Sequence, residues 1–157
     1  MNKKKLFSLA ILVIFLFSSM LHASASSVNS GNAVIEIEYL DDGSYFETIV
    51  QAQSLAKTSS IIGNKTLNYK NSSGEALWSV TVYATFSYLN GVSCNCTTVS
   101  GSSVSYNSSW TVTSATTNKS ANKASASATG KHYSGSTLVE SISKTVTLTC
   151  DTYGNLS

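Results

Sequence analysis

The chain has 157 residues, of which ten are lysines, eight are acidic and none is arginine. Three of the lysines lie within the first five residues, and without them seven lysines face eight acids. Nucleic-acid and phosphate readers depend on arginine and on basic patches, so this balance disfavours a nucleic-acid partner.

The first 25 residues have the pattern of an export signal. Residues 3–5 are lysines, residues 6–21 are largely apolar, and the small residues Ala23, Ser24 and Ala25 follow. The apolar stretch is shorter than the roughly 20 residues that a membrane-spanning helix needs. We therefore expect a signal peptide over residues 1–25, cleavage after Ala25, and no stable membrane anchor. The remainder, residues 26–157, is expected to be one secreted, extracellular domain.

Residues 26–50 contain the clearest hairpin pattern. Apolar side chains alternate with two glutamates between positions 35 and 39, and Asp42-Gly43 is typical of a tight turn. Residues 45–50 then return as a second strand. Residues 51–65 lack a regular period, and we expect an irregular connection there, with one or two helical turns over residues 51–56.

From residue 66 onward the sequence predicts strands and turns. The even-numbered residues from Trp78 to Tyr88 are apolar and alternate with mostly polar neighbours, which indicates a strand with one buried face. Asn90-Gly91 predicts the next tight turn. The strand over residues 93–106 is expected to contain a bulge at Gly101.

The last third of the chain continues this pattern. Residues 124, 126 and 128 are alanines that share one strand face, and we expect Trp78 or Trp110 to lie across them. Residues 138–150 form the last predicted strand. Lys144 falls on its apolar face, so either the lysine extends from a sheet edge or a bulge shifts the phase.

These elements predict an all-β fold. About seven to eight short strands over residues 66–157 and the N-terminal hairpin, joined by regular turns, are typical of an antiparallel β-sandwich or an open barrel. Alternation assigns strand faces and leaves the strand order open.

The three cysteines predict a disulfide in an exported domain. Cys94 and Cys96 lie on one face of their strand, and Cys150 ends the apolar face of the last strand. Either Cys94 or Cys96 could therefore pair with Cys150. A zinc or copper site that adds His132 has suitable ligand types, but a Cys-x-Cys on a strand arranges poorly around one ion. We expect no metal and no cofactor.

Catalytic chemistry has little support in the sequence. His132 is the only histidine outside the predicted signal, and no Gly-x-Ser-x-Gly elbow is present. Asp41 and Asp42 fall in a turn, while Glu36 and Glu38 are expected on a solvated strand face, so a glycosidase pair is not indicated. We expect that the protein is not an enzyme.

Exposed tyrosines suggest a binding surface instead. Tyr83, Tyr106 and Tyr133 lie beside serine, threonine and asparagine, and such rings and hydroxyls suit sugars, although tyrosine is also an ordinary strand residue. We therefore expect a non-enzymatic module that binds a glycan, the cell wall or a protein partner. The alternatives are a bacteriocin-like or membrane-active antagonist and, less favoured, a small hydrolase.

Several turn, tryptophan and cysteine motifs carry a family resemblance. They are Asn71-Ser72-Ser73-Gly74, Leu77-Trp78, Cys96-Thr97, Trp110, Leu148-Thr149-Cys150 and Gly154-Asn155-Leu156-Ser157, together with the hairpin around Asp42-Gly43. In these the chain resembles a family of small secreted proteins of unknown function from Gram-positive bacteria (Firmicutes). The resemblance implies one cysteine in the strand where this chain has Cys94 and Cys96, and it favours Cys96 as the partner of Cys150. It implies no activity.

Overall fold

The computed structural model describes residues 33–54 and 59–157. The predicted export signal, residues 1–25, lies outside these ranges, as do residues 26–32 of the predicted domain. The described residues contain nine β-strands, arranged in two antiparallel sheets that do not close on each other. The all-β prediction is therefore confirmed, and of the two architectures the open pair of sheets corresponds to the sandwich. In the described ranges no helix has the length and apolar character needed to cross a bilayer.

The larger sheet is an antiparallel meander of five strands in chain order. Consecutive strands pair because tight turns with glycine at positive φ, such as Gly43 (82°) and Gly91 (72°), reverse the chain where the sequence predicts hairpins. Its strands are β1 (Ala33–Tyr39), β2 (Tyr45–Ser54), β3 (Ser60–Lys70), β4 (Ala76–Leu89) and β5 (Ser93–Ser105).

The smaller sheet is built around β8. One edge of β8 pairs with β9 along its whole length, so the two short strands β6 and β7 share the other edge in succession. This sheet is only three strands wide and leaves part of the larger sheet uncovered. Its strands are β6 (Trp110–Val112), β7 (Thr116–Ser120), β8 (Lys123–Ser134) and β9 (Thr137–Thr149).

The region predicted as an irregular connection is largely strand. β2 continues to Ser54 and β3 begins at Ser60, and their ten-residue register runs from Tyr45 opposite Lys70 to Ser54 opposite Ile61. The predictions of a connection over residues 51–65 and of helical turns at residues 51–54 are wrong; residues 55–56 lie outside the described residues. Cross-strand pairing outweighed the weak local pattern, as it commonly does for strands.

The core lies between the two sheets and is formed by the strand faces that the alternation predicts to be buried. The even-numbered residues of β4 from Trp78 to Phe86 are buried, and so are the three alanines of β8. Trp78 lies against Gly130, the next inward position of β8 after Ala128, so the expected packing of a large ring on small residues occurs one position further along.

The apolar face of the edge strand β1 points outward, although the alternation of its sequence predicts that this face is buried. Ile37 and Tyr39 lie on the outer face and are 45% and 71% exposed, whereas Glu38 shares the inner face with Phe46. The smaller sheet does not reach far enough to cover β1, so its inner face also meets solvent. The expectation that the glutamates are solvated holds, while the burial implied for their apolar neighbours does not.

Lys144 closes the space between the sheets at this edge. Its ammonium lies 3.9 Å from the centroid of the Phe46 ring and 3.4 Å from the Glu38 carboxylate. The pairing of β8 with β9 is regular at this position, with Ala128 opposite Lys144, so no bulge shifts the phase. Of the two explanations for this lysine, extension from a sheet edge is therefore the one observed.

The irregularity in β5 lies at Thr97 and not at Gly101. Phe86 pairs with Cys96 and Thr85 with Thr98, so Thr97 is the extra residue, and its hydroxyl donates to the Thr85 carbonyl at 3.0 Å. The expected bulge at Gly101 is wrong. Because the bulge reverses the alternation, Cys94 and Cys96 face the interior although the even-numbered residues beyond it face outward.

Candidate functional site

One end of the sandwich carries a polar cleft of about 310 Å³. Connections that are far apart in sequence meet there, because antiparallel strands bring alternate loops to the same end of the sheets. The lining residues come from the β1–β2 turn, the β3–β4 turn, the β5–β6 connection and the strands flanking the β8–β9 hairpin. They are Asp42, Ser44, Tyr69, Asn71, Ser72, Leu77, Asn107, Ser109, Trp110, His132 and Glu140.

A chain of hydrogen bonds fixes the inner wall of this cleft. The buried Tyr69 hydroxyl donates to the Ser44 hydroxyl oxygen at 3.1 Å, and the Ser44 hydroxyl donates to the Asp42 carboxylate at 2.6 Å. The Ser44 backbone N–H donates to the same carboxylate oxygen at 3.0 Å. These bonds from Ser44, its hydroxyl first, lower the pKa of Asp42, while burial raises the pKa of Tyr69. The wall therefore holds an ionised carboxylate beside a protonated phenol.

Aromatic rings form the floor. Tyr69 meets Trp110 edge to face, with ring centroids 5.4 Å apart, and His132 stacks on Trp110 at 5.0 Å with the rings 6° from parallel. This stacking fixes the imidazole, because Trp110 is itself 5% exposed and held by the core. A ligand in the cleft would meet the outer face and edge of a fixed histidine ring.

His132 and Glu140 are the groups most available to a ligand. They lie opposite each other on β8 and β9. In the part of the chain that the structure describes, neither side chain has a hydrogen-bonding partner, whereas Asn71 and Asn107 are used in their own turns. The backbone N–H groups of Ser73 and Glu75 donate to the Asn71 carbonyl oxygen, and those turn bonds hold the rim of the cleft in shape.

The three tyrosines predicted as a binding surface do not come together. Tyr83 and Tyr106 lie on the outer face of the larger sheet, where the Tyr106 hydroxyl is 3.2 Å from the Ser79 hydroxyl. Positions 79 and 83 are about 13 Å apart along β4. Tyr83 lines a shallow groove with Gln51 and Asn64. Tyr133 belongs to the smaller sheet and is half-buried. None of the three lines the cleft.

The cysteines meet at the opposite end of the sandwich. All three are thiols, with Cys94 and Cys150 buried and Cys96 partly exposed. Burial, followed by a hydrogen bond with Cys94, raises the pKa of Cys150 to about 12. No pair is at bonding distance, so the disulfide stays a prediction.

Sequence reasoning missed most of the cleft. Ser44 and Tyr69 read as ordinary turn and strand residues, and Glu140 stands in a polar stretch without any motif. The sequence does not indicate that His132 contacts Trp110, because the two residues are 22 positions apart and pair only in the folded sheet. The one local signal was Asp42, in a turn where aspartate is common for backbone reasons.

Comparison with known proteins gives no relative. No protein-family model, curated protein or solved structure matches the chain. The resemblance to small secreted proteins of Gram-positive bacteria therefore stays a prediction. The chemistry of the cleft is the available guide to function.

Proposed function

We propose that this chain is a secreted, non-enzymatic binding module that binds a glycan in the loop cleft at one end of the sandwich. The observation that carries the proposal is the convergence of three connections and the paired strands β8 and β9 on one cleft with a fixed aromatic floor and a polar rim. Binding sites are commonly built in this way, with variable loops held by a rigid β-scaffold.

The chemistry of the lining suits a polyhydroxylated ligand. Sugars present apolar C–H faces and many hydroxyl groups, so they pack on rings and exchange hydrogen bonds with carboxylates, amides and hydroxyls. His132 offers a ring and a ring nitrogen, and Glu140 offers a carboxylate opposite it. The hydroxyls of Ser72 and Ser109 lie at the rim. The module can thus bind a sugar ring from one side and from its edges.

The charges of the cleft narrow the class of glycan. Among the described residues that line it, Asp42 and Glu140 are the carboxylates, and there is no lysine or arginine. Since the pKa of Asp42 is lowered, this carboxylate stays ionised at any ordinary pH. A neutral or amino-bearing glycan is therefore favoured over a uronate or phosphate-bearing one.

Two features support binding over hydrolysis. A glycosidase needs a carboxylic acid whose pKa is raised so that it can protonate the leaving group, and the pKa of Asp42 is shifted the other way. The Ser44 hydroxyl donates to Asp42 and not to an imidazole, so it lacks the arrangement of an activated nucleophile.

The test is calorimetric titration of the full mature chain with soluble oligosaccharides, after a first selection on insoluble cell wall, chitin and cellulose. Glu140→Gln keeps the shape of the side chain and removes its charge. We expect it to weaken binding about tenfold or more, because hydrogen bonds to charged groups contribute about 1.5–3 kcal/mol. His132→Ala is expected to weaken binding to a similar extent.

Glu36→Gln is the matched control. It makes the same charge change on β1, away from the cleft, and should leave affinity within about twofold. Loss of binding in Glu36→Gln together with Glu140→Gln would indicate nonspecific electrostatics and contradict the proposal. No binding to any glycan, with capture of a protein partner through the cleft residues instead, would overturn the glycan assignment. Release of reducing sugars by the wild-type chain would favour the hydrolase.

A further inference from the structure

The end of the sandwich opposite the cleft brings three thiols together. The bulge at Thr97 turns Cys94 and Cys96 of β5 toward the interior, and Cys150 follows the last residue of β9. β5 belongs to the larger sheet and β9 to the smaller one. A bond from either β5 cysteine to Cys150 would therefore tie the two sheets together.

Backbone hydrogen bonds hold both cysteine segments in place. The Cys96 N–H donates to the Ala121 carbonyl at 2.7 Å, and the Cys150 N–H donates to the Asn122 carbonyl at 3.0 Å. The Gly91 N–H donates to the Thr152 carbonyl at 2.9 Å. The start of β5 and the segment after β9 are thus anchored to the same β7–β8 turn and to each other, so their side chains are held close without a covalent bond.

The two β5 thiols differ in where they point. The Cys96 thiol donates to the Thr98 carbonyl of its own strand at 3.3 Å and is partly exposed. Cys94 is 8% exposed and Cys150 is 0% exposed, and both belong to the buried core cluster, whereas Cys96 only packs against it. The Cys150 thiol donates to the Asp151 carbonyl at 3.3 Å. We propose that Cys94, and not Cys96, forms a disulfide with Cys150, and that Cys96 remains a thiol.

The reaction is an ordinary thiol–disulfide exchange. The Cys94 and Cys150 thiols lose two protons and two electrons, and a Sγ–Sγ bond forms between them. A disulfide oxidant, such as oxidised glutathione in the test below, accepts the electrons and protons and is reduced to two thiols. Both side chains are buried in the core, and forming the bond requires the Cys150 thiol to give up its hydrogen bond to the Asp151 carbonyl and the two sulfur atoms to approach to bonding distance.

The test is oxidation of the full mature chain in a glutathione redox buffer, followed by intact mass and nonreducing peptide mapping. We expect a mass two hydrogens below that of the reduced chain, a peptide pair linking Cys94 to Cys150, and alkylation at Cys96 alone. Reduction should lower the melting temperature by about 10 °C, because the bond closes a long loop.

Two serine variants isolate the pairing. Cys96→Ser should keep both the mass difference and the reductant-dependent melting shift, whereas Cys150→Ser should lose both. Loss of the disulfide in Cys96→Ser, or a mapped Cys96–Cys150 peptide pair in the wild-type chain, would overturn the proposal. Three alkylatable thiols in the oxidised wild-type chain would overturn it as well, and this mapping does not depend on how well any variant folds.

Discussion

Gly130→Ala is expected to destabilise the fold through a single contact. A Cβ atom at this position would lie 2.5 Å from Cε2 and Nε1 of Trp78 and 2.9 Å from Cδ1, where ordinary contacts are 3.4–4 Å. The backbone of Gly130 has no positive φ, so an alanine meets no conformational strain and the effect is steric. Trp78 is 0% exposed and cannot move without displacing its neighbours.

The magnitude follows from the cost of adding a methyl group to a filled core. Overpacking of this kind costs about 1–3 kcal/mol, since side chains are forced from their preferred rotamers. For a domain of this size a loss of 2 kcal/mol lowers the melting temperature by about 8 °C. Urea unfolding followed by tryptophan fluorescence measures the free energy directly, because Trp78 and Trp110 are the two tryptophans of the chain.

A double-mutant cycle separates the contact from other effects. Trp78→Phe makes room for the new methyl group and removes an indole N–H that is buried without a partner among the described residues. Gly130→Ala should therefore cost less in the Trp78→Phe background. Gly135→Ala is the control, because a Cβ atom there would meet nothing within 4 Å. Its φ of 61° makes the alanine cost about 1 kcal/mol in both the wild-type and the Trp78→Phe background. We therefore expect no coupling between Gly135→Ala and Trp78→Phe. A Gly130→Ala cost within about 0.5 kcal/mol of zero, or one that adds fully to that of Trp78→Phe, would refute the reasoning.

Three further predictions concern single polar groups. The pKa of Asp151 is lowered, chiefly by a hydrogen bond from the Asn155 side chain. The stability that the ionised Asp151 contributes is therefore complete above its ordinary pKa of 3.8 and is lost as the pH falls through the pKa in the folded state. Asp151→Asn should flatten the acid side of a plot of melting temperature against pH, and an unchanged plot would contradict this prediction. Ser44→Ala removes the acceptor of the buried Tyr69 hydroxyl and should cost about 1–3 kcal/mol in urea unfolding; a neutral result would mean that the hydroxyl finds another partner. Because burial raises the pKa of Cys150 to about 12, iodoacetamide at pH 8 should modify it in the reduced native chain far more slowly than in urea, and equal rates would show that the thiol is not buried.

The strands with the strongest alternation could be predicted from sequence because their signal is local. Trp78, Val82 and Phe86 on β4 and the alanines of β8 alternate with polar neighbours, and the structure buries them as expected. A period of two specifies which residues share a face, and in both strands that face meets the opposite sheet.

The alternation of β1 shows where such a signal is insufficient. Ile37 and Glu38 are on opposite faces, as predicted, yet the apolar face points outward. Which face is covered depends on the width of the smaller sheet, and that width depends on β6 and β7 sharing one edge of β8. Nothing near β1 in the sequence contains this information.

The candidate site could not be predicted for a related reason. Ser44, Tyr69, Trp110 and Glu140 come from four different connections or strands and become neighbours only when the two sheets pack. The cysteine cluster was predicted in part, because Cys94 and Cys96 do face inward. They face inward because of a bulge at Thr97, whereas the sequence placed the bulge at Gly101.

Lys144 also affects which strand pairings are possible. Sliding β9 by two residues against β8 keeps every apolar side chain on its face, so alternation alone permits several registers. A slide that moved Lys144 to the position of Val146, which is 3% exposed, would bury its ammonium away from Glu38 and the face of Phe46. An unpaired buried charge costs several kcal/mol. Lys144, which interrupts the apolar face of β9, thereby helps to specify the register of β9 against β8. It makes shifted registers less stable, although the apolar residues alone would permit them.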